Sequence, residues 1–349
     1  GGAIKRLTAL MDPRGFKVPP TRNPWDTDRT PGGSSSGSAA ALACGMILGA
    51  LGSQTGGSIT RPAAYCGVNG LKATYGRLPL DGILPLAPTL DHPGPMARTV
   101  ADLEPLWQVL AGPDERDVLA HPDGTPIRLG RLRGPFDERA EPATRAALDA
   151  ALAKMAGEDV TVSDMPVPFD FDGVLTSHRT ILAAEAAAFH EDRLATRPEA
   201  YPPLIRALIE EGLALAASSY VRARQHCEMI RARRAEWFAD VDAFVTPAAV
   251  GVAPDTSTTG SPVFNSPWSF AGLPTVTFPI GLEGGLPLGL QLVGRPFAEW
   301  DLLRIARRCA ELLSSWSVNL QGGSAQRNPP RAGPRWVALR GPTLHESPP

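Results

Sequence analysis

Two glycine-flanked serine clusters stand close together in this chain of 349 residues and could form a nucleophilic site. The first is G-G-S-S-S-G-S at 32–38, and the second is Q-T-G-G-S at 54–58. A serine that attacks an amide carbonyl needs a group that draws away its proton and N–H donors directed at the developing oxyanion. The glycines before Ser58 let the backbone turn so that successive N–H groups converge beside its hydroxyl. The pattern predicts a serine-nucleophile hydrolase.

Other interpretations of the same residues stay open at this point. Gly56 and Gly57 could simply make a tight turn, with Ser58 capping the next element. G-S-S-S-G at 33–37 also fits the nucleophile elbow G-x-S-x-G, in which Ser35 would act with His190 or His226. That elbow needs a preceding strand, against which the proline-rich approach argues. A phosphate loop is excluded because no G-K-[ST] ending follows, and no residue spacing suggests a metal site.

Taken together, the motifs resemble the amidase signature hydrolases, whose pattern is G-G-S-S-x-G-S, then a G-G-S turn, then P-x-x-x-C-G. The chain matches this pattern and continues to resemble the family over roughly 21–313. The matching segments are 32–38, 56–58, 62–67, 70–77, 86–91, 242–247 and 285–294.

The resemblance implies a role for each residue of the two clusters. Ser58 corresponds to the acylated nucleophile, and Ser34, reached through a cis peptide bond, to the bridging serine that passes the proton onward. Backbone N–H groups of Thr55, Gly56, Gly57 and Ser58 would form the oxyanion hole. In the family the relay ends at a buried, neutral lysine that acts as general base, because desolvation lowers the pKa of an ammonium group.

The family's lysine stands in a K-D pair upstream of the serines, and this pair is not found here. The lysines of this sequence precede Arg, Val, Ala and Met, in the order Lys5, Lys17, Lys72 and Lys154. We expect an N-terminal segment that carries the lysine to be missing from the sequence; the competing explanation is a homologue that cannot complete the relay. Gln54, where many members have Asp, and Arg61, one place later than usual, are interpreted as a compensating pair that marks a subgroup.

The resemblance implies an amidohydrolase that converts a carboxamide to an acid and ammonia or amine through an acyl-enzyme on Ser58, without metal or cofactor. Phe264 and Trp268, together with Phe270, are expected to line a pocket for an apolar or aromatic acyl group. The alternatives are the glutaminase subunit of a tRNA-dependent amidotransferase and a non-catalytic remnant. The expected partner is a small amide, and a homodimer is compatible with this interpretation.

The amino-acid composition limits the partners and the cellular compartment that we expect for the protein. A net charge of -2 gives no electrostatic case for nucleic acid or an anionic membrane, and 43% hydrophobic residues are enough for a large core. Four scattered cysteines favour a reduced, cytoplasmic protein. No apolar stretch approaches the length of a membrane span.

The pattern of elements predicts an α/β fold, with a mixed sheet covered by helices on both faces and apparently lacking its N-terminal part. The predicted domain is 1–317, and 318–349 is a Pro/Gly/Arg-rich segment expected to be disordered. A helix is predicted at 38–51, followed by a loop at 49–58. The remaining predicted helices are 99–111, 142–156, 300–313 and two or three within 176–240, and the strands are 126–132, 160–167, 242–247, 275–280 and 286–294.

Overall fold

An eight-stranded mixed sheet lies at the centre of the fold in residues 20–114, 117 and 124–313, which the computed structural model describes. The spatial order of its strands is β1-β3-β2-β7-β8-β6-β4-β5. The strands are β1 (Gly49–Gln54), β2 (Asn69–Lys72), β3 (His92–Ala97), β4 (Ile127–Leu132), β5 (Val160–Met165), β6 (Ala243–Pro247), β7 (Thr275–Glu283) and β8 (Leu286–Gly294).

Helices cover the sheet. The helices of the described residues are α1 (Ser36–Ala43), α2 (Thr60–Cys66), α3 (Val100–Ala111), α4 (Pro135–Arg139), α5 (Pro142–Met155), α6 (Phe171–Thr196), α7 (Pro203–Leu213), α8 (Ala217–Arg233), α9 (Ser266–Ala271) and α10 (Glu299–Leu312).

The two halves of the sheet differ in strand direction. β4 pairs in parallel with both β5 and β6, and α5 connects β4 to β5 as the predicted β-α-β unit. The other pairs are antiparallel, including the β7–β8 hairpin, whose turn places Gly284 and Gly285 at positive φ. Two consecutive residues at positive φ suit glycine and match the twist of paired strands. The mixed sheet is therefore confirmed.

Alternation along β8 places helices on both faces of the sheet. Leu288 and Leu290 point into the largest apolar cluster, which also holds buried residues of α3, α5 and α10. Gly289 points the other way, and a Cβ built on it would meet Ala64 of α2 at 3.0 Å. Since successive side chains of a strand face opposite sides, α2 and α10 lie on opposite faces. Glycine at 289 lets α2 approach the strand closely.

The helix predicted at 38–51 is wrong after Ala43. The loop predicted at 49–58 is wrong over 49–54, which form a strand, and is confirmed over 55–58. α1 ends at Ala43, and Gly45 adopts a φ of +69° that stops helical continuation. The chain then forms β1, which pairs antiparallel with β3 along its whole length. Leu51, interpreted from its apolar character as part of a buried helix, is 60% exposed on this edge strand. Pairing with a distant strand overrides the local preference for helix.

The other predicted elements are confirmed, with shifts of a few residues at their ends. The helical region at 176–240 forms α6, α7 and α8, interrupted near Pro198 and Pro202 as expected. α6 begins earlier, at Phe171, because the Asp170 carboxylate accepts a hydrogen bond from the N–H of Gly173 and caps the helix. None of the helices in the described residues combines the length and apolar character needed to cross a membrane. The predicted tail at 318–349 lies outside the described residues.

Candidate active site

The fold brings the two serine clusters into direct contact. The backbone N–H of Ser35 donates a hydrogen bond to the carbonyl of Ser58 at 3.2 Å. Ser34 and Ser58 are both half-buried, so each residue is partly accessible to solvent. The first cluster enters α1 and the second enters α2, and these two helices pack in one small apolar cluster. The serines predicted to act together are therefore neighbours.

The peptide bond between Gly33 and Ser34 is cis, as the resemblance implies. The carbonyl of Gly33 accepts a hydrogen bond from Nη2 of Arg61 at 2.7 Å. Arg61 lies in the first turn of α2, three residues after Ser58. Its guanidinium group thus connects the helix that follows Ser58 to the segment that carries Ser34.

The loop before Ser58 presents a run of unpaired backbone donors. Within the described residues, none of the N–H groups of Thr55, Gly56, Gly57 and Ser58 has a hydrogen-bond acceptor. Successive free N–H groups in such a turn form an anion-binding nest. Beside an attacking hydroxyl, this nest can stabilise the oxyanion of a tetrahedral intermediate.

Gln54 fastens both ends of this loop. Its Oε1 accepts hydrogen bonds from the N–H groups of Ile59 at 2.9 Å and Thr60 at 3.0 Å, and its Nε2 donates to Oγ of Ser269. One buried side chain thereby satisfies two free donors at the start of α2. Gln54 and Arg61 bind different groups, so the compensating pair interpreted from the sequence is not a direct contact.

Replacing Gln54 by alanine is expected to destabilise the fold by about 2 kcal/mol, because two buried N–H groups would lose their acceptor. Gln54→Glu keeps a side-chain acceptor at the same reach and is expected to lose less. Urea unfolding of both variants and the wild type measures the difference. Equal free energies of unfolding for the two variants would show that this acceptor does not hold the loop.

Thr55 is held from two sides. Its hydroxyl donates to Asp91, whose Oδ2 accepts N–H bonds from Leu86 at 2.8 Å and Ala87 at 3.1 Å. The carbonyl of Thr55 accepts a hydrogen bond from Nε2 of His178 on α6 at 3.0 Å, in the tautomer that carries the proton on Nε2. These contacts orient the peptide unit that leads into Gly56.

Burial shifts the pKa of both residues that hold Thr55. It raises the pKa of Asp91 above its usual 3.8, against the hydrogen bonds from Thr55, Leu86 and Ala87, which lower it. Burial also lowers the pKa of His178 from 6.5 to about 4, so the imidazole is neutral at pH 7. Sequence reasoning marks neither residue as functional. Asp91 lies in a segment that carries the family resemblance, whereas no pattern marks His178.

Lys72 is the last residue of β2. The side chain is fully buried, and Nζ donates to the carbonyls of Ala73 and Leu273. Burial holds its pKa well below 10.5, although the nearby Glu299 acts in the opposite direction. Lys154 is exposed in the last turn of α5, and Lys5 and Lys17 lie outside the described residues.

The other candidates occupy packed positions. Phe264 and Trp268 are fully buried with Phe136, whose ring stacks on Trp268 at a centroid distance of 5.9 Å. A contact between these side chains and a substrate stays a prediction. His190 bonds the Tyr201 hydroxyl and His226 the Ser177 hydroxyl. No strand precedes Ser35 in the described residues, so the nucleophile-elbow interpretation lacks its required element.

Comparisons with known proteins identify the family of the chain. The family model described as "Amidase" matches residues 13–303. Similar curated proteins include a glutamyl-tRNA(Gln) amidotransferase subunit of Chloroflexus aggregans, 38% identical, and its counterpart in Myxococcus xanthus, 36% identical. Each alignment covers 82% of this chain; it covers 67% of the first protein and 68% of the second. The chain therefore spans about two thirds of the length of these relatives.

Solved structures give the same result. A crystal structure of an amidase is 32% identical, with a TM-score of 0.76 over 83% of this chain and 68% of that one. A protein from a vestigial complex that reveals the evolutionary origins of an s-triazine catabolic enzyme is 34% identical, with a TM-score of 0.74 over 84% of this chain and 68% of that one. The family match extends over most of the chain and includes both serine clusters. The chain belongs to the amidase signature family.

Proposed function

We propose that this chain is an amidohydrolase that cleaves a carboxamide to an acid and ammonia or amine through an acyl-enzyme on Ser58. The observation that carries the proposal is the contact between the two serine clusters beside four unpaired N–H groups. Family membership supports a reaction at a carbon–nitrogen bond.

Each residue has a defined task in this reaction. The Ser58 oxygen attacks the amide carbon, and its proton passes to Ser34, which hands its own proton to a general base. The N–H groups of Thr55, Gly56 and Gly57 bind the oxygen that becomes negative. Collapse of the tetrahedral intermediate expels the amine, which takes up a proton, and water then attacks the ester on Ser58. The family's base is a lysine, and a neutral amine with a lowered pKa suits that role.

A fluorophosphonate probe tests the nucleophile directly. We expect the probe to form a covalent adduct at Ser58, identified by mass spectrometry of the digested protein. Ser58→Ala should abolish the adduct, whereas Ser38→Ala, at a serine of the first cluster whose hydroxyl bonds the Leu51 carbonyl, should leave it. Absence of the adduct from a folded wild-type protein would favour a non-catalytic member of the family.

The similarity to amidotransferase subunits supports a second candidate function. Those relatives are 32–38% identical, and such a subunit here would release ammonia from glutamine as part of a larger assembly. Glutamine and simple carboxamides should be compared as substrates, with and without the tRNA-dependent partner subunits. Glutaminase activity that appears only with those partners would identify this function and would overturn the small-amide hydrolase.

A further inference from the structure

A cavity of about 320 Å³ lies at one end of the sheet, apart from the serine clusters. It is bounded by the starts of β4 and β6, by the end of β8 and by the first two turns of α10. No residue of 32–38 or 54–58 lines it. Since α10 covers the face of the sheet opposite to α2, the helix that follows Ser58, the cavity is separate from the candidate active site.

Four charged side chains line this cavity, and two of them bind each other. Arg128 donates to the Asp242 carboxylate from Nε at 3.3 Å and from Nη2 at 2.8 Å. The same carboxylate accepts the backbone N–H of Arg128 at 2.8 Å, so the charges of these two residues compensate each other. The remaining charged residues of the wall are Arg295 and Asp301, one of each sign.

Arg295 keeps two of its donor atoms without a partner. Its Nη2 donates to the carbonyls of Phe238 at 2.7 Å and Val241 at 3.4 Å. Within the part of the chain that the structure describes, Nε and Nη1 have no acceptor, and no carboxylate lies within ion-pair distance of the guanidinium group. Arginine binds a carboxylate through parallel N–H bonds, which suits these two donor atoms. A carboxylate in the cavity would therefore supply the counter-ion of Arg295.

The first two turns of α10 supply an acidic group and an apolar surface to the same cavity. Asp301 is only 6% exposed. An ammonium group beside a buried carboxylate is attracted more strongly than at an exposed site, because water screens the two charges less. Ala298, Leu302 and Ile305 add apolar contacts. The wall thus presents a guanidinium group, a carboxylate and an apolar side, which match the carboxylate, the ammonium group and the side chain of a free amino acid.

We propose that this cavity is a second ligand site, which binds a free amino acid with an apolar side chain such as leucine. The carboxylate of the ligand pairs with Arg295, its ammonium group with Asp301, and its side chain contacts Leu302 and Ile305. The volume of about 320 Å³ is at the small end of the range for small-molecule pockets, which favours a single amino acid over a longer peptide. This inference does not depend on the proposed hydrolysis at Ser58.

Isothermal titration of the wild-type protein tests which groups of the ligand are recognised. The ligands are L-leucine, N-acetyl-leucine, which lacks the ammonium group, and isoamylamine, which lacks the carboxylate. We expect leucine to bind at least about 10-fold more tightly than either analogue, because each analogue loses one charged contact. Equal binding of the three ligands, or no saturable binding of leucine, would overturn the inference.

Variants of the two charged residues assign the binding to this cavity. Arg295→Gln and Asp301→Asn should each weaken leucine binding at least about 10-fold, and Arg295→Lys should lose less because it keeps the charge. Arg233→Gln is the matched control, since Arg233 is exposed, bonds Glu236 and lies outside the cavity, so its affinity should equal that of the wild type. Circular dichroism checks that each variant is folded.

Two further results would contradict the assignment. An affinity for leucine that stays unchanged in folded Arg295→Gln, Arg295→Lys or Asp301→Asn protein would show that the wall does not pair with the ligand as stated. Loss of leucine binding after a fluorophosphonate has reacted at Ser58 would place leucine in the candidate active site instead. We expect the labelled and unlabelled proteins to bind leucine equally, because the cavity has no residue in common with the serine clusters.

Discussion

Replacing Gly57 by alanine is expected to slow the labelling of Ser58 by a fluorophosphonate by at least about 100-fold, the effect of losing one oxyanion donor. A Cβ built on Gly57 would lie 2.5 Å from Oδ1 of the fully buried Asn265, closer than real contacts allow. Asn265 cannot move freely, because its Nδ2 donates to the Ala248 carbonyl at 2.9 Å. The loop must therefore shift, and its N–H groups leave the position beside Ser58.

Two other glycines provide the comparison for this variant. At Gly56 the nearest atom to an added Cβ is Oγ of Ser266 at 3.3 Å, so Gly56→Ala should reduce the labelling rate less. An added Cβ on the exposed Gly157 meets nothing within 4 Å, so Gly157→Ala should label as the wild type does. Time courses of adduct formation, with circular dichroism as a check of folding, give the three rates. Equal rates for the Gly57 and Gly157 variants would show that the loop geometry does not govern Ser58.

The loop at 54–58 that leads to Ser58 is predictable from the sequence, because few other structures have glycines and serines in that order. Its support is not predictable, since each supporting contact joins residues far apart in the chain. Asp91 reaches Thr55 from 36 positions away and His178 from 123. The sequence around Asp91 or His178 has no local pattern that distinguishes a residue making such a contact from one that is exposed to solvent. Only the folded sheet and α6 bring them to the same peptide unit.

The strands of the sheet also differ in how well the local sequence predicts them. β8 is predictable because a fully buried strand is typically rich in apolar residues, and all nine residues of β8 are buried. β1 escapes prediction because an edge strand needs no such run. Its sequence, Gly49–Gln54, is small, uncharged and partly exposed, and only the pairing with β3 defines it as a strand. The strand that leads to the nucleophile is thus specified by its partner.

Arg61 is a residue that the sequence singles out but whose contacts are defined only by the structure. The sequence places it one position later than usual and links it to Gln54, but gives no direction for its side chain. In the fold, Gln54 turns to the N–H groups that open α2, and Arg61 extends to the carbonyl before Ser34. The two residues that depart from the family pattern therefore have separate roles. Gln54 fixes the loop before Ser58, and Arg61 places a positive charge beside the serine clusters.

The contribution of His178 to stability is expected to disappear in acid. The pKa of His178 is about 4 in the fold against 6.5 for an unperturbed histidine, because burial disfavours the charged form. The unfolded chain therefore takes up its proton first as the pH falls. Stability from this residue is complete above about pH 6.5 and is lost towards pH 4, by about 3 kcal/mol in total.

His178→Gln isolates this effect, since a Gln amide can donate to the Thr55 carbonyl but does not titrate. Burial also lowers the pKa of His92 and His190, but both remain in the variant and cancel in the comparison. Urea unfolding at pH values from 7.5 to 4 should show the wild type losing about 3 kcal/mol relative to the variant. Parallel pH curves for the two proteins would mean that His178 is not held neutral by the fold.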